Sequence, residues 1–139
     1  MTYSITPGNP EQWDFVAKGL IDFNQKQLGV TLVEPEKVAR VALDENGAVL
    51  GGALCTYTPI LDTLYVEILW VDDRCRGSGI GGALLRSVEA YARARSCMLS
   101  HLETLDFQAR DFYIKQGYTV FATLEGPPGH ERYYMKKYL

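Results

Sequence analysis

No apolar run in these 139 residues approaches the length needed to span a bilayer, which excludes a membrane-spanning helix. The opening Met1-Thr2-Tyr3-Ser4 has no basic segment leading into an apolar stretch, so no secretory signal is expected. Cysteine is scarce. Cys55, Cys75 and Cys97 are odd in number and lack paired metal-ligand spacing, which argues for reduced thiols in a cytoplasmic protein. Histidine is scarcer still: His101 and His130 are too few for a histidine metal site without carboxylate help, and no metal is expected. Positive charge is not in excess either. Lys and Arg number 14 against 17 Asp and Glu, a net charge of −3, which weighs against a nucleic-acid partner. Arg74, Arg76, Arg86, Arg93 and Arg95 nonetheless crowd one stretch. Internal repeats, low-complexity segments and interdomain linkers are absent, so residues 1–139 are expected to form one domain.

What is present reads as alternating helices and strands. Asn9-Pro10-Glu11-Gln12 is a helix start: Asn9 caps, Pro10 suits the first turn and Gln12 closes a capping box. Trp13, Val16, Leu20 and Phe23 follow at helical spacing as a candidate inward stripe, and Gly29 is the stop. Val38 to Asp44 and Ala48 to Tyr57 read as a hairpin about Asn46-Gly47, a pair in which both residues favour positive φ. Pro59 interrupts the chain, and Leu64 to Val71 is a third strand. A helix then opens near Ile80, with Ile80, Leu84, Val88 and Ala92 inward and Arg86, Glu89 and Arg93 outward. Met98 to Thr104 (strand), Gln108 to Lys115 (helix ended by Gly117), Tyr118 to Leu124 and Arg132 to Tyr138 (strands) complete a mixed α/β chain.

The chemistry concentrates at Arg76-Gly77-Ser78-Gly79-Ile80-Gly81-Gly82, with four glycines in six residues at a strand–helix junction. Glycine lets backbone N–H groups approach a ligand without a side chain intervening. The helix start adds unpaired donors and the positive end of its dipole, which together suit a pyrophosphate. Gly77-x-Gly79-x-x-Gly82 also satisfies the dinucleotide fingerprint, with Glu103 about twenty residues on. That fingerprint belongs to the first strand of a repeating βαβ fold, whereas here a helix and a hairpin come first. No Gly-Lys-Ser/Thr follows, so the phosphate loop of nucleotide hydrolases is absent.

Arg76-Gly77-Ser78-Gly79-Ile80-Gly81 after Leu69-Trp70-Val71, and Phe112-Tyr113-Ile114-Lys115-Gln116-Gly117-Tyr118 further on, are two motifs some thirty residues apart. In both, and in element order, the sequence resembles the GNAT superfamily of N-acetyltransferases. The resemblance implies the acyl-CoA N-acyltransferase fold: a mixed, mainly antiparallel sheet, splayed at its centre and flanked by helices. It implies acetyl-CoA as cosubstrate, its pyrophosphate held by the backbone of Arg76, Gly77, Ser78, Gly79, Ile80, Gly81 and Gly82. The strand ending at Leu69, Trp70 and Val71 would pair with the pantetheine arm, and N–H groups there could polarise the thioester carbonyl. Tyr113 matches the position that protonates the departing thiolate, for which a phenol near its ordinary value of about 10 stays protonated at neutral pH.

The attacking amine must lose a proton, and two carboxylates compete for it. Glu67 sits mid-strand with Tyr65, Leu69 and Val71 on one pleat face, and Glu103 lies at the end of the next strand; Glu67 is favoured, and either could instead be an ion-pair partner. The sequence departs from the family at Asp106, where many relatives carry a cofactor-contacting asparagine. Asp106 is expected to cap the following helix, and Gln108 could take over the contact. His101 shares a face with Glu103, and His130 lies in the loop after Pro127-Pro128-Gly129; each could relay a proton or serve only structure. Trp70, Tyr57, Tyr133 and Tyr134 could line an acceptor pocket or fill the core. The expected partner is a primary amine of a small molecule or peptide, transferred to directly. A non-catalytic acyl-CoA sensor and a nicotinamide-dinucleotide binder are the other readings. Similar proteins commonly dimerise, and an exposed final strand would support a homodimer.

Overall fold

Asn9 starts the first helix as its chemistry dictates. The computed structural model describes all of residues 1–139. It divides into a segment Met1–Val33 and a larger unit Glu34–Leu139. In the first segment, helix α1 (Pro10–Leu28) carries the reciprocal capping box between Asn9 and Gln12, and left-handed Gly29 closes it. The stripe Trp13, Val16, Leu20 and Phe23 stays exposed, and α1 buries no residue. One helix with flanking coil offers nothing within its own segment to bury that stripe against.

The larger unit runs β1 (Glu36–Leu43), β2 (Val49–Thr58), β3 (Thr63–Val71), α2 (Ile80–Arg93), β4 (Leu99–Leu105), α3 (Arg110–Lys115), β5 (Thr119–Glu125) and β6 (Glu131–Tyr138). The β1–β2 turn differs from the expected two-residue form. Only Gly47 takes a positive φ, 82°. Its N–H bonds to Asp44 O, while the Asp44 carboxylate accepts from the N–H groups of Asn46 and Ala48. A tight turn followed by left-handed glycine, with a register shift at Ala42/Leu43, lets Asn46 keep an ordinary conformation.

The six strands lie in the order β1-β2-β3-β4-β6-β5, antiparallel except where β3 meets β4. That parallel pair is short, running only from Thr63↔Leu99 to Val66↔Leu102. Beyond it the two strands part, which is the splay expected of the fold. The last strand, β6, is enclosed between β4 and β5, so the edge expected for a dimer belongs to β5 instead.

A bulge sits where the splay begins. Cys55 pairs with Val66 and Leu54 with Ile68, leaving Glu67 as the extra residue on β3. One extra residue reverses the alternation of every side chain that follows. Leu64 and Val66 before it, and Leu69 and Val71 after it, therefore all join the same core. Tyr65 and Glu67 do not share a face with Leu69 and Val71, as uninterrupted alternation would require.

Helix α2 covers the core face with Leu84, Leu85, Val88 and Ala92 against Val38, Ala53, Leu64 and Val66. Each large aliphatic chain so buried contributes about 1.5–3 kcal/mol relative to exposure. Glu89, expected outward, is instead 1% exposed. Lys137 Nζ bonds both its oxygens at 3.1 and 2.9 Å, the Tyr118 hydroxyl donates at 3.1 Å, and Arg93 lies 3.6 Å away. A carboxylate enters this interior because β6 supplies a cation there, which helical spacing alone does not reveal.

Candidate active site

The loop between β3 and α2 is built from its own side-chain bonds. Asp72 caps a short turn and is gripped by Arg74 through Nε and Nη2, at 2.9 and 2.8 Å. The Arg74 bonds hold its carboxyl down to about 2. Gly77 and Gly79 then take φ of 78° and 88°, where an added Cβ would be strained although space is open. Arg76 pairs with Asp73 at 2.7 Å and leans toward Val71 O, so it braces the loop from outside. The N–H groups of Gly77, Gly79, Ile80, Gly81 and Gly82 find no acceptor in the chain, and no side chain caps α2. A row of free donors on glycine backbone at a helix N-terminus fits a pyrophosphate. At Gly81 an added Cβ would lie 3.4 Å from the Phe112 ring and 3.6 Å from Val71, so β3, α2 and α3 converge on this cradle.

Of the expected cofactor-arm residues, Leu69 and Val71 pack partly into the core and Trp70 is exposed. Beyond Val66 the β4-facing edge of β3 has no ladder partner. An extended ligand with amides could complete that edge.

Tyr113 points into the core at 6% exposure, packed edge-on against Tyr118 and Phe112, and its hydroxyl makes no hydrogen bond. Burial, with a smaller contribution from Cys55, pushes the phenol up to about 12. Cys55 is itself pushed up to about 12 by burial and then by Glu67.

Both carboxylate candidates line one cleft of about 510 Å³, together with Tyr65, Thr104, Leu105, Gln108, Glu125, Gly126, Pro127 and Arg132. They are held differently. Glu67 Oε1 accepts from Lys37 Nζ at 2.6 Å and from Thr56 at 2.8 Å, and these bonds hold its carboxyl below the ordinary value. Glu103 Oε1 accepts from the Tyr65 hydroxyl at 3.0 Å, and Arg132 Nη1 stands 3.6 Å from Oε2. Burial and then the Glu103 bond push the Tyr65 phenol up, keeping it protonated as a donor. The buried Nε of Arg132 has no partner. Glu125 pairs with no cation, so three carboxylates around the cleft meet two cations, Arg132 in the lining and Lys37 on Glu67.

Neither histidine is free. His101 stacks on Tyr65, centroids 5.0 Å apart at 17°, and burial holds its imidazole below the usual value against the pull of Glu103. His130 Nδ1 lies 2.8 Å from Asp106. Asp106 also accepts from the Glu131 N–H, so it ties the loop before β6 rather than capping α3. Burial pushes the Asp106 carboxyl up, but these bonds outweigh it and hold it low. The cap of α3 falls to no side chain. Gln108 bonds Leu105 N–H instead of standing free, and Thr104 receives the Ala109 N–H.

Tyr57 belongs to the core, and Tyr133 is occupied by Glu131 and by the Arg110 guanidinium over its ring. Trp70 and Tyr134 are not among the cleft residues. The aromatic that does line it, Tyr65, carried no signal beyond its place in a strand. Lys37, Thr56 and Arg132 were equally silent, because each matters only through a partner far along the chain.

The acetyltransferase (GNAT) family model matches residues 5–118. The chain belongs to the GNAT acetyltransferase family. Over 96 residues it is 40% identical to the blasticidin-S acetyltransferase of Streptomyces morookaense, covering 68% of this chain and 69% of that protein. An acetyltransferase structure from Bacillus cereus ATCC 14579 superposes with a TM-score of 0.87 at 29% identity, over 99% of this chain and 98% of that one. An aminoglycoside 6'-N-acetyltransferase structure complexed with coenzyme A shares the fold, with a TM-score of 0.66 at 17% identity over 98% and 95% of the chains. The chain is thus an acetyl-CoA-dependent acyltransferase of the acyl-CoA N-acyltransferase fold. No helix is long and apolar enough to cross a membrane. No cluster of His, Cys, Asp and Glu gathers as a metal site.

Proposed function

We propose that this acetyltransferase N-acetylates a primary amine on a small cationic molecule by direct attack. The observation that carries the reading is the cleft where β3 and β4 part: its three carboxylates, Glu67, Glu103 and Glu125, meet only Arg132 in the lining and Lys37 on Glu67, which leaves Glu125 without a cation. Such a lining favours an ammonium-bearing acceptor over a neutral or anionic one. The blasticidin-S acetyltransferase of Streptomyces morookaense, a relative at 40% identity, makes that compound a rational first acceptor.

Acetyl-CoA supplies the acetyl group, activated as a thioester. The free N–H groups of Gly77 and of Gly79, Ile80, Gly81 and Gly82 bind its pyrophosphate, with Arg76 bracing the loop, and the open edge of β3 at Leu69, Trp70 and Val71 pairs with the pantetheine arm. Glu103 takes the ammonium proton, directly or through one water. Sequence reasoning favoured Glu67 for that step. Its bonds from Lys37 and Thr56 make it a weaker base, better suited to keeping its charge and drawing the ammonium in. Tyr113, with a phenol near 12, acts chiefly as a hydrogen-bond donor toward the departing sulfur. Complete transfer to a thiolate of ordinary basicity, about 8.5, would run uphill.

We read residues 1–139 as one N-acetyltransferase domain, since the family match crosses the boundary at Val33. Three free thiols suit the reducing cytoplasm. A homodimer through the open edge of β5 is compatible with the strand order.

The test is thiol release from acetyl-CoA with blasticidin S, an aminoglycoside, spermidine and a neutral-sided peptide amine as acceptors. Turnover should be highest among the small cations. Binding of acetyl-CoA without acetylation of any amine would defeat the reading, and preference for the peptide would defeat its cationic part.

A further inference from the structure

We infer that Tyr65 is a positioning residue that orients the Glu103 carboxylate toward the acceptor amine, an assignment that rests on Glu103 being the proton acceptor. Its place in the sheet makes the argument. Tyr65↔His101 is the next-to-last rung between β3 and β4, and Val66↔Leu102 is the last. Glu103 is the first residue of β4 beyond that ladder. Its backbone is paired only on the far side, opposite Tyr134 of β6. The Tyr65 hydroxyl, donating to Oε1 at 3.0 Å, is therefore the link from β3 across the opening to the carboxylate.

The donor is itself fixed. The Tyr65 ring lies flat on His101, 5.0 Å between centroids and 17° between planes, so the hydroxyl has little freedom to swing. The other carboxylate oxygen is left available. Arg132 Nη1 stands 3.6 Å from Oε2, beyond hydrogen-bond reach, and no other donor serves it. The groups that face Glu103 are Tyr65 and Glu67 of β3, His101 of its own strand, Glu125 of β5, and Arg132 and Tyr134 of β6. Among these, Tyr65 alone makes a hydrogen bond of ordinary length to it. A carboxylate terminus rotates freely about its last torsion unless a donor holds one oxygen. Holding Oε1 fixes the plane of the carboxylate and leaves Oε2 without a hydrogen bond at the cleft that Tyr65 and Glu103 both line. Positioning of that kind lowers the barrier without any new chemical group.

Tyr65→Phe removes the hydroxyl and keeps the ring and its stack on His101. Steady-state rates with acetyl-CoA and either blasticidin S or spermidine would be measured for the wild type, Tyr65→Phe, Glu103→Gln and the double variant. Tyr65→Phe should lower kcat/KM for the amine roughly tenfold, as loss of a hydrogen bond to a charged group does, and leave the acetyl-CoA KM unchanged. In the Glu103→Gln background the same change should cost less than about twofold, because no proton transfer remains to be oriented. An equal loss in both backgrounds would show a merely structural tyrosine and overturn the assignment. No loss in the wild-type background would do the same while leaving Glu103 in place. Full turnover in Glu103→Gln, or a wild type that acetylates neither amine, would remove the underlying reading and Tyr65 with it.

Discussion

The cradle at the start of α2 and the cleft between β3 and β4, to which we assign the cofactor and the acceptor, are made of different material. The cradle is backbone: its donors are N–H groups between Gly77 and Gly82, and its nearby side chains Arg74 and Arg76 are spent on Asp72 and Asp73. The cleft is side chain. Tyr65, Glu67, Glu103 and Arg132 come from β3, β4 and β6, and each is restrained by a residue from another strand. A backbone site tolerates changes in charge but not in conformation. A side-chain site has the opposite sensitivity.

The sharpest way to break that contrast is Gly79→Val. A β-branched residue at φ 88° forces the loop out of shape, so acetyl-CoA affinity should fall roughly 100-fold by calorimetric titration. Affinity unchanged would mean that the cradle does not depend on left-handed glycine. Next comes Tyr113→Phe, where loss of a donor to a developing thiolate should reduce kcat roughly 10–100-fold with acetyl-CoA affinity intact. A kcat that stays at the wild-type value would free Tyr113 of any part in the chemistry. Arg76→Ala should weaken acetyl-CoA only about two- to threefold, because Arg76 braces the loop at an exposed site. A loss as large as that of Gly79→Val would place a side chain among the principal ligands and blur the contrast.

The smallest effect concerns the cleft. The bond from Lys37 holds the Glu67 carboxyl below its ordinary 4.5, so the pair stabilises the fold above that value and loses its contribution as pH falls through the lower folded one. Lys37→Met should cost under about 1 kcal/mol at neutral pH, since Lys37 is exposed, and the difference from wild type should vanish in acid. Urea melts at neutral pH and near pH 3 would show it, and a difference that persists in acid would assign it to packing instead.

The elements whose signals are local were legible. Asn9 with Gln12, Gly29, Gly117 and the glycine loop each act on neighbours within a few residues, and each sits where the sequence puts it. The inward row of α2 was legible for Leu84, Val88 and Ala92 and failed at Glu89, whose cation lies 48 residues away on β6. The pleat face assigned to Glu67 failed for a related reason. A bulge is a mismatch between two strands, and neither strand alone records which residue will be left over. Asp106 shows the same limit, since its partners His130 and Glu131 arrive only when β6 folds back beside β4.

By itself, then, the sequence determined both ends of α1, the strands, the core stripe of α2 and the glycine loop before it, because caps, alternation and glycine torsions are short-range physics. The tertiary structure alone decided which carboxylate meets lysine and which meets tyrosine, which glutamate is buried, and where the sheet opens. Those outcomes depend on register between strands distant in the chain, where a shift of one residue exchanges the faces of every side chain beyond it.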